Sequence, residues 1–393
     1  MNNALFVVYF SGRVSSVSDY MLREAVEWSK SETVVCLLLY AQPHAVMKHL
    51  FVRYPPIVYK RGNVHYLRPV YLLPFQRFRL IVGINRWLFL RLVSPWVLRR
   101  IYKKRQREEK TDQYFMFYRP EKERDYFRQA FRAFSAMGYK TVFNLVDYPP
   151  TEDKATVGIY RAYVQLSDVV VANSSTLKKA FSEYRSDITV VPQGFALDEF
   201  RKTPIPSVQL SVDTPRIGFV GALGSRLDFP LLFELIARNP SWNFVFWGPK
   251  QIVEGDDRLE VNRLVRRLLA YPNVLHGFSR EKRQVASVVD QLDIGIIPYD
   301  VTQKSNRYCY PMKLFEYFYM GKPVVATPIE ELKRFPKFVL IGRTVKEWER
   351  HIKNLISRPW PKEYKEEQRR LATENSWERK VAAIRRAMTR HGD

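Results

Sequence analysis

Hydrophobic and polar positions follow a repeating order along this chain: a short apolar run, a polar loop, then a segment with the spacing of an amphipathic helix. The first such group is the apolar run 4–10, the loop 11–18 and a helical segment over 19–29. Short apolar runs that alternate with helical segments are typical of buried parallel strands in βαβ units. The pattern predicts an α/β protein that begins with a core strand, with Glu24 and Glu27 on the solvated face of the first helix.

The same order occurs on both sides of a polar, proline-bearing stretch over 202–214, which is typical of a linker. A chain of 393 residues is also too long for one ordinary hydrophobic core. We therefore expect a first domain over 1–201 and a second domain over 215–360. Residues 361–393 form a highly charged helical tail that we expect to pack back on the first domain.

The stretch Ile296–Pro328 reads as strand, polar loop, helix, glycine and second strand, which is a βαβ unit. Ligands in such sheets lie beyond the carboxyl ends of the strands. Lys313 and Glu316 are three residues apart and share one face of the helix. A cation at a helix N-terminus suits a phosphate, and a carboxylate one turn further suits sugar hydroxyls, so the pair indicates a bound nucleotide. The alternative is a surface ion pair that only stabilises the helix.

A second candidate phosphate site is the loop VGALGSR, which opens the second domain. Gly221 and Gly224 permit a close approach of the backbone to a ligand, and the helix that follows presents its N-terminus to phosphate oxygens. The basic residues expected on the ligand-facing loops are Arg226, Lys304, Arg307 and Lys313.

The first domain offers candidates at the ends of two of its predicted strands. Gly12, Arg13 and Ser15 lie in the loop after the first strand, where we expect the acceptor side of a binding cleft. Asp147 follows the strand 141–146, and a carboxylate at the tip of a strand faces the cleft in this architecture. The alternative is that Asp147 only caps the turn that follows.

The net charge is +24, from 64 Lys and Arg against 40 Asp and Glu. A balance this basic implies a polyanionic partner, such as nucleic acid, an anionic membrane or a phosphorylated substrate. From 77 to 107 there are ten Lys or Arg, interleaved with aromatic and aliphatic residues, and no Asp or Glu. The basic charge is therefore concentrated in one apolar segment.

That composition is typical of an interfacial amphipathic helix, whose rings enter the headgroup layer while arginines meet lipid phosphates. Pro95 is expected to break the helix in two. The alternatives are a helix pair packed on the sheet with its arginines in solvent, or a nucleic-acid surface. The content of Leu, Ile and Val favours a membrane over a base-stacking surface. The residues expected at the membrane are Arg77, Arg79, Trp87, Arg91, Trp96, Arg99 and Arg100.

The remaining composition bears on compartment and cofactor. Cys36 and Cys309 imply no disulfide framework, which fits a reducing cytoplasm, and the six histidines lack metal-ligand spacing. The N-terminus has no basic region ahead of its apolar run, so we expect a core strand and no signal peptide. No run of 18 uncharged apolar residues occurs, so no transmembrane helix is expected.

Nearly the whole chain resembles the GT-B glycosyltransferases, which have two Rossmann-like domains facing across a cleft. In the second domain, VGALGSRLDFPLL is similar to the glycine loop of the donor domain, and PMKLFEYFYMGKPVVATPIEEL is similar to a family-4-type donor signature. In the first domain, FNLVDYPP resembles the branch that glycosylates lipid-linked carriers in exopolysaccharide and teichuronic-acid synthesis, and also the xanthan-type glucuronosyltransferase.

The resemblance implies an enzyme that transfers a sugar from a nucleotide-diphosphate sugar, a UDP-sugar by preference, to a lipid-linked saccharide at the cytoplasmic face of the membrane. Glu316 would bind the ribose hydroxyls, and Lys313 would meet the diphosphate. Gly221 and its neighbours would supply backbone N–H groups. Tyr310 and Met312 would line the donor pocket.

The same resemblance makes Asp147 the general base on the acceptor side. Retaining members of the family carry a glutamate eight residues before the one at 316, and Tyr308 stands there in this chain. An inverting displacement needs a carboxylate base, so the sequence favours inversion. Basic loops can meet the charge of the leaving diphosphate, so we expect no metal and no further cofactor.

Two other functions are weighed against this one. Charge alone suggests a nucleic-acid-binding protein, but the chain lacks zinc ligands, an RRM-like aromatic signature or a helix-turn-helix pattern, so no nucleic-acid partner is expected. Tyr308 suggests a catalytically inactive homologue that still binds a nucleotide sugar.

Overall fold

The computed structural model describes residues 4–10, 19–38, 58–68, 78–103, 112–121, 124–149, 153–201, 214–250, 257–278 and 282–390. The chain divides into two compact units. The N-terminal unit comprises 1–173, 178–191 and 381–393, and the C-terminal unit comprises 174–177 and 192–380. The division after Val191 differs from the expected boundary at 201, and residues 202–213 of the expected linker lie outside the described residues.

Eight strands form the sheet of the N-terminal unit: β1 Leu5–Phe10, β2 Thr33–Leu38, β3 Val58–Arg61, β4 Val64–Leu67, β5 Gln113–Phe117, β6 Lys140–Leu145, β7 Val169–Ala172 and β8 Thr189–Val190. Their order is β3-β4-β2-β1-β5-β6-β7-β8. The hairpin β3–β4 is antiparallel, and the other neighbours are parallel. Strands such as β2 are buried on both faces, which explains their continuous apolar sequence.

The helical elements with residues in this unit are α1 Asp19–Trp28, α2 Arg79–Leu88, a π-helical turn Phe89–Val93, α3 Ser94–Lys103, α4 Arg124–Ala136, α5 Lys154–Leu166, α6 Ser175–Phe181 and α15 Trp377–Arg390. Apolar residues of α1 and α15, including Trp28 and Ile384, belong to one core cluster with one face of the sheet. Aromatic rings of α4, including Phe127, lie against Phe115 and Phe117 of β5. Helices therefore cover both faces of this sheet, as parallel strands require.

Six parallel strands form the sheet of the C-terminal unit: β9 Arg216–Val220, β10 Asn243–Trp247, β11 Val274–Gly277, β12 Ile294–Ile297, β13 Val324–Ala326 and β14 Val339–Ile341. Their order is β11-β10-β9-β12-β13-β14. The helices are α7 Leu197–Arg201, α8 Phe229–Arg238, α9 Asp257–Leu268, α10 Lys282–Gln291, α11 Lys304–Arg307, α12 Lys313–Tyr319, a 3-10 helix Glu330–Arg334, α13 Val345–Ile356 and α14 Lys362–Glu374.

The charged tail forms two helices, since α14 ends before Asn375 and α15 begins at Trp377. Residues from Val381 onward belong to the N-terminal unit, whereas α14 belongs to the C-terminal unit.

The prediction of an α/β chain with two Rossmann-like parallel sheets is confirmed.

Candidate functional site

The strand order of the C-terminal unit reverses between β9 and β12. These two strands pair at two positions, Ile217 with Ile294 and Gly218 with Gly295, whereas β9 pairs with β10 at five. In open parallel sheets, ligands bind beyond the carboxyl ends of the strands at the point where the order reverses. The loops after β9 and β12 are therefore the place to look for a site.

Tyr317 of α12 fills the space beyond the last pair of these two strands. Its hydroxyl accepts the Val220 N–H at 3.0 Å and lies 3.1 Å from the Gly218 carbonyl and 3.2 Å from the Ile296 carbonyl. A Cβ at Gly295 would lie 2.7 Å from the ring, so only glycine fits there. Burial raises the pKa of the Tyr317 phenol well above its ordinary value. The buried Tyr317 hydroxyl therefore hydrogen-bonds to backbone groups of β9 and β12 beyond the point where these strands pair with each other.

Two glycines at adjacent strand ends set the path of the loop after β9. Gly221 has φ 152° and Gly248 has φ 158°, a region that residues with a side chain rarely adopt. A Cβ at Gly248 would lie 2.0 Å from the Gly221 carbonyl oxygen, so the two backbones are in direct contact. Gly221 therefore approaches the neighbouring strand end closely, and its approach to a ligand stays a prediction.

The amides of this loop are partly engaged. The Gly221 N–H donates to the Trp247 carbonyl and the Leu223 N–H to the Pro249 carbonyl, both at 2.9 Å. The expectation that Gly221 itself supplies an N–H to a ligand is therefore wrong. Within the described residues, the N–H groups of Ala222, Gly224 and Ser225 donate to no backbone carbonyl.

Lys313, the first residue of α12, lies beside this loop. Its ammonium group is 5.0 Å from the ring centre of Phe219 and 4.8 Å from that of Tyr299, and it donates a hydrogen bond to the Tyr299 hydroxyl. A Cβ at Gly221 would lie 3.2 Å from this nitrogen. The two features singled out separately in the sequence, the glycine loop and Lys313, therefore lie side by side.

Arg226 joins the loop after β9 to the loop after β12. Its Nε donates to Asn306 Oδ1 at 2.7 Å, and its guanidinium lies 4.7 Å from the ring centre of Tyr299. Asn306 is fully buried, and its side-chain amide donates a hydrogen bond to the Asp300 carbonyl at 2.9 Å. The sequence analysis missed Asn306, because an asparagine in a polar loop carries no signal that it will be buried.

Hydrogen bonds also hold the first turn of the second loop. The Asp300 carboxylate accepts from the Thr302 N–H at 3.0 Å, the Thr302 hydroxyl at 2.6 Å and the Gln303 amide at 2.9 Å. Burial alone would raise the pKa of Asp300, but these hydrogen bonds lower it below its ordinary value. The loop is therefore anchored at both Asp300 and Asn306.

The other residues expected at the donor site are placed as follows. Glu316 is 8% exposed, one turn along α12 from Lys313. Tyr310 packs its ring against Phe315, with centroids 5.4 Å apart.

The remaining candidates make hydrogen bonds or ion pairs within the C-terminal unit. The sulfur of Met312 accepts a hydrogen bond from the Gln193 amide at 3.6 Å. The Gly224 carbonyl accepts a hydrogen bond from the Leu227 N–H at 3.1 Å. Tyr308 is the C-cap of α11, and Arg307 pairs with Glu330 at 3.2 Å.

In the N-terminal unit, Asp147 follows the carboxyl end of β6, as expected. Its carboxylate is 3.6 Å from the guanidinium of Arg119, which follows β5. Gly12, Arg13 and Ser15 lie outside the described residues, so their role stays a prediction.

The interpretation of Glu24 as a solvated residue is wrong. Glu24 is fully buried, and the Asn144 amide of β6 donates to both of its carboxylate oxygens, at 2.9 and 3.0 Å. Glu27 pairs with Lys30 at 2.7 Å. The Glu24 carboxylate can be buried between α1 and the sheet because the Asn144 amide donates hydrogen bonds to it.

Residues 79–103 form one continuous helical stretch through α2, the π-helical turn and α3. The expected break at Pro95 does not occur. In a regular α-helix the proline ring would clash with the carbonyl four residues earlier, and the wider π-helical turn just before Pro95 accommodates it. The Ser94 hydroxyl also donates to the Leu90 carbonyl at 2.8 Å.

Large apolar side chains form an exposed stripe along this stretch, at spacings of four, three, five and four residues. The five-residue step crosses the π-helical turn, where hydrogen bonds join residues five apart, so the stripe stays on one face. Phe89, Leu90 and Leu98 are buried on the opposite face. The stripe consists of Leu80, Ile84, Trp87, Leu92 and Trp96, which are 38 to 75% exposed.

Arginines flank the stripe. Arg79, Arg91, Arg99 and Arg100 are exposed, and the Arg100 guanidinium lies 5.5 Å from the ring centre of Trp96. Arg77 lies outside the described residues.

One helix among the described residues, Arg79–Ile101, is long and apolar enough to cross a membrane by length and composition alone. A mostly buried core helix of a soluble protein passes the same test; here 28% of the apolar window is buried, and the stretch belongs to the N-terminal unit. Within the described residues, no group of three His, Cys, Asp or Glu is placed to hold a metal ion.

No family model matches the chain. Over 181 residues the chain is 28% identical to TuaH of Bacillus subtilis strain 168, whose name is that of a teichuronic acid biosynthesis glycosyltransferase. The match covers 44% of the chain and 44% of TuaH, so it spans less than half the length of this curated relative. The resemblance to the glycosyltransferases of teichuronic-acid synthesis, stated from the sequence, is confirmed.

Solved structures of similar fold cover almost the whole chain. Sucrose-phosphate synthase of Thermosynechococcus elongatus superposes with a TM-score of 0.67 at 13% identity, covering 99% of this chain and 98% of that one. HepE of Anabaena, in complex with UDP and glucose, gives 0.63 at 15%, covering 99% and 100%. A trehalose 6-phosphate synthase of Burkholderia multivorans gives 0.65 at 12%, covering 100% and 99%. These likenesses show the GT-B fold.

We expect Tyr317→Phe to lower the free energy of unfolding by about 1 to 3 kcal/mol, because it leaves the buried Val220 N–H without its acceptor. Urea denaturation would measure the loss. Tyr364→Phe is the matched control, since that half-buried ring packs against Trp360 and Phe338 in the same unit. Equal effects of the two variants would contradict the role given to the Tyr317 hydroxyl.

Proposed function

We propose that the protein is a glycosyltransferase that moves a sugar from a UDP-sugar to a lipid-linked saccharide at the cytoplasmic face of a membrane, in cell-surface polysaccharide synthesis. The observation that carries the proposal is the convergence of Lys313, Arg226 and the glycine loop at the point where β9 and β12 part. The name of TuaH supports this class of reaction, and UDP in the HepE complex supports the donor.

The transfer breaks the bond between the anomeric carbon of the sugar and the diphosphate oxygen, and it forms a bond from that carbon to an acceptor oxygen. Negative charge develops on the leaving diphosphate and must be stabilised by groups already in position. Lys313 and Arg226 supply positive charge, and the N–H groups of Ala222, Gly224 and Ser225 supply hydrogen bonds. Because these groups belong to the chain itself, we propose a metal-independent reaction.

Glu316 supports the nucleoside part of the donor. It lies one turn from Lys313 on the same helix face, so a diphosphate at Lys313 brings the ribose hydroxyls toward its carboxylate. A carboxylate accepts hydrogen bonds from two vicinal hydroxyls.

Asp147 is the proposed general base. In an inverting transfer, the acceptor hydroxyl loses its proton to a carboxylate as its oxygen attacks the anomeric carbon. Asp147 is suited to this role because it follows the carboxyl end of β6 and Arg119 holds its side chain from one side.

The exposed stripe and its arginines support attachment to an anionic membrane. Apolar and aromatic side chains enter the boundary between headgroups and acyl chains, and arginines pair with lipid phosphates. A lipid-linked acceptor lies in the same membrane, so binding there brings enzyme and acceptor together.

Replacement of Lys313 by Met should weaken UDP binding about tenfold or more, because a charge-assisted hydrogen bond to phosphate is lost. Isothermal titration calorimetry with UDP would measure this effect. Lys346→Met, an exposed lysine on α13, is the control and should bind as the wild type does. Unchanged UDP affinity in the Lys313 variant would contradict the donor site.

The Asp147→Asn variant should bind UDP normally and lose about 10²- to 10⁴-fold in turnover, because it lacks the proton acceptor. The assay is UDP release from UDP-glucose, UDP-N-acetylglucosamine and UDP-glucuronic acid in the presence of a membrane lipid extract. Asp153→Asn, at the N-cap of α5, controls for loss of a nearby carboxylate. Full turnover in Asp147→Asn would remove Asp147 as the base.

Neutralising Arg79, Arg91, Arg99 and Arg100 to Gln should weaken binding to vesicles that contain phosphatidylglycerol by about a hundredfold or more at low salt, since each basic residue near the surface contributes about 1 kcal/mol. Vesicle flotation would measure the bound fraction. A control with Arg128, Arg132, Arg350 and Arg358 changed to Gln removes the same charge from exposed positions elsewhere. Equal loss in both variants would show that net charge, and not this stripe, binds the membrane.

A further inference from the structure

A small network of charged and polar side chains lies at the carboxyl ends of β5 and β6 in the N-terminal unit. Arg119 and Glu121 belong to the segment 118–121 that follows β5, Asp147 follows β6, and Tyr160 belongs to α5. The proposed reaction gives the acceptor proton to Asp147 and leaves Glu121 and Tyr160 without a role. Their contacts indicate what these two residues do.

Tyr160 holds Glu121 in place. Its side chain is fully buried, and its ring lies against Phe143 of β6, with centroids 5.8 Å apart. The Tyr160 hydroxyl donates to Glu121 Oε2 at 2.9 Å. Burial and the Glu121 carboxylate raise the pKa of the Tyr160 phenol well above its ordinary value, so the hydroxyl keeps its proton and remains a donor. Helix α5 thereby anchors the segment after β5.

Arg119 connects this anchor to Asp147. A single residue, the buried Pro120, separates Arg119 from Glu121. Because the proline ring fixes the backbone angle φ, a restraint on Glu121 also limits where the Arg119 side chain can lie. The charges of Arg119 and Asp147 both act on the Tyr160 phenol, which places all four groups in one neighbourhood.

The pair of Arg119 and Asp147 is more exposed than its anchor. The two side chains are 31% and 30% exposed, whereas Tyr160 is buried. Water screens a pair this exposed, so it adds little to stability. Its effect is on direction, since Arg119 Nη2 lies 3.6 Å from Asp147 Oδ2. With Oδ2 turned toward the guanidinium, Oδ1 is the oxygen that remains for an acceptor hydroxyl.

We propose that Tyr160, Glu121 and Arg119 are positioning residues for the transfer reaction, and that they hold the Asp147 carboxylate in the orientation in which Oδ1 takes the acceptor proton. The inference rests on the proposed role of Asp147 as the general base. A displacement of about 1 Å in a reacting group can cost roughly a hundredfold in rate. An exposed carboxylate therefore needs fixed side chains behind it.

Turnover, measured as UDP release with the donors and lipid extract named above, tests the proposal. Tyr160→Phe should lower kcat about tenfold and leave the donor KM and the UDP affinity unchanged, because it loosens the base and alters no donor-binding group. Glu121→Ala should have the same effect. Glu121→Gln keeps an oxygen that accepts the Tyr160 hydroxyl, so it should restore most of kcat.

The matched control is Tyr163→Phe on the same helix. The Tyr163 ring also packs against the core, next to Phe117 and Phe127. This variant should turn over as the wild type does. A loss in Tyr163→Phe equal to that in Tyr160→Phe would assign the effect to packing of α5 and overturn the proposal.

A combined variant separates positioning from a general effect on the fold. Residues that act through Asp147 have no further effect once its carboxylate is gone, so adding Tyr160→Phe to Asp147→Asn should change the residual turnover by no more than about twofold. A further tenfold loss would overturn the proposal. Wild-type kcat in Tyr160→Phe, with Asp147→Asn inactive, would overturn it too and leave the base in place. Full turnover in Asp147→Asn would remove the base and this inference with it.

A crystal structure of Tyr160→Phe supplies a measurement that needs no turnover. The distance from Arg119 Nη2 to Asp147 Oδ2 should exceed the limit for an ion pair, about 4 Å, against 3.6 Å in the wild type. An unchanged pair in the variant would show that Tyr160 does not position Arg119.

Discussion

The parting of β9 and β12 is the constraint on which the C-terminal unit depends. Two strands that separate leave backbone donors and acceptors unpaired, and unpaired groups in a buried place are costly. The Tyr317 hydroxyl meets this need, and Gly295 makes room for its ring. Because the strands are held apart, the loops that follow them can come together over the gap, and Lys313 reaches the glycine loop there.

The proposed donor site combines backbone held by close contacts and hydrogen bonds with a small number of charges. The two glycines in contact fix the loop after β9, while Asn306 and Asp300 fix the loop after β12. Groups held in place in this way can stabilise charge that develops in a transition state without rearranging. A leaving diphosphate at this site would lie beside Lys313, Arg226 and the loop N–H groups. This is the physical reason for proposing glycosyl transfer.

The basic helical stretch shows how one local irregularity can serve two requirements. The π-helical turn admits Pro95 into a continuous helix, and its five-residue step keeps the apolar stripe on one face. Without that step, the residues after the turn would rotate toward the core. The outer face then carries the stripe and its arginines, while Phe89, Leu90 and Leu98 are buried on the inner face.

The sequence by itself determined the alternation of strands and helices and the two parallel sheets, because each rests on local patterning. It also singled out Lys313 and the glycine loop as candidates, and the structure places them side by side. Tertiary structure decided which polar groups are buried and which amides are engaged. Glu24 was expected in solvent and is enclosed with Asn144, Asn306 gave no signal, and the Gly221 N–H binds a neighbouring strand end. These outcomes depend on what the rest of the chain brings to each group, and no window of sequence contains that information.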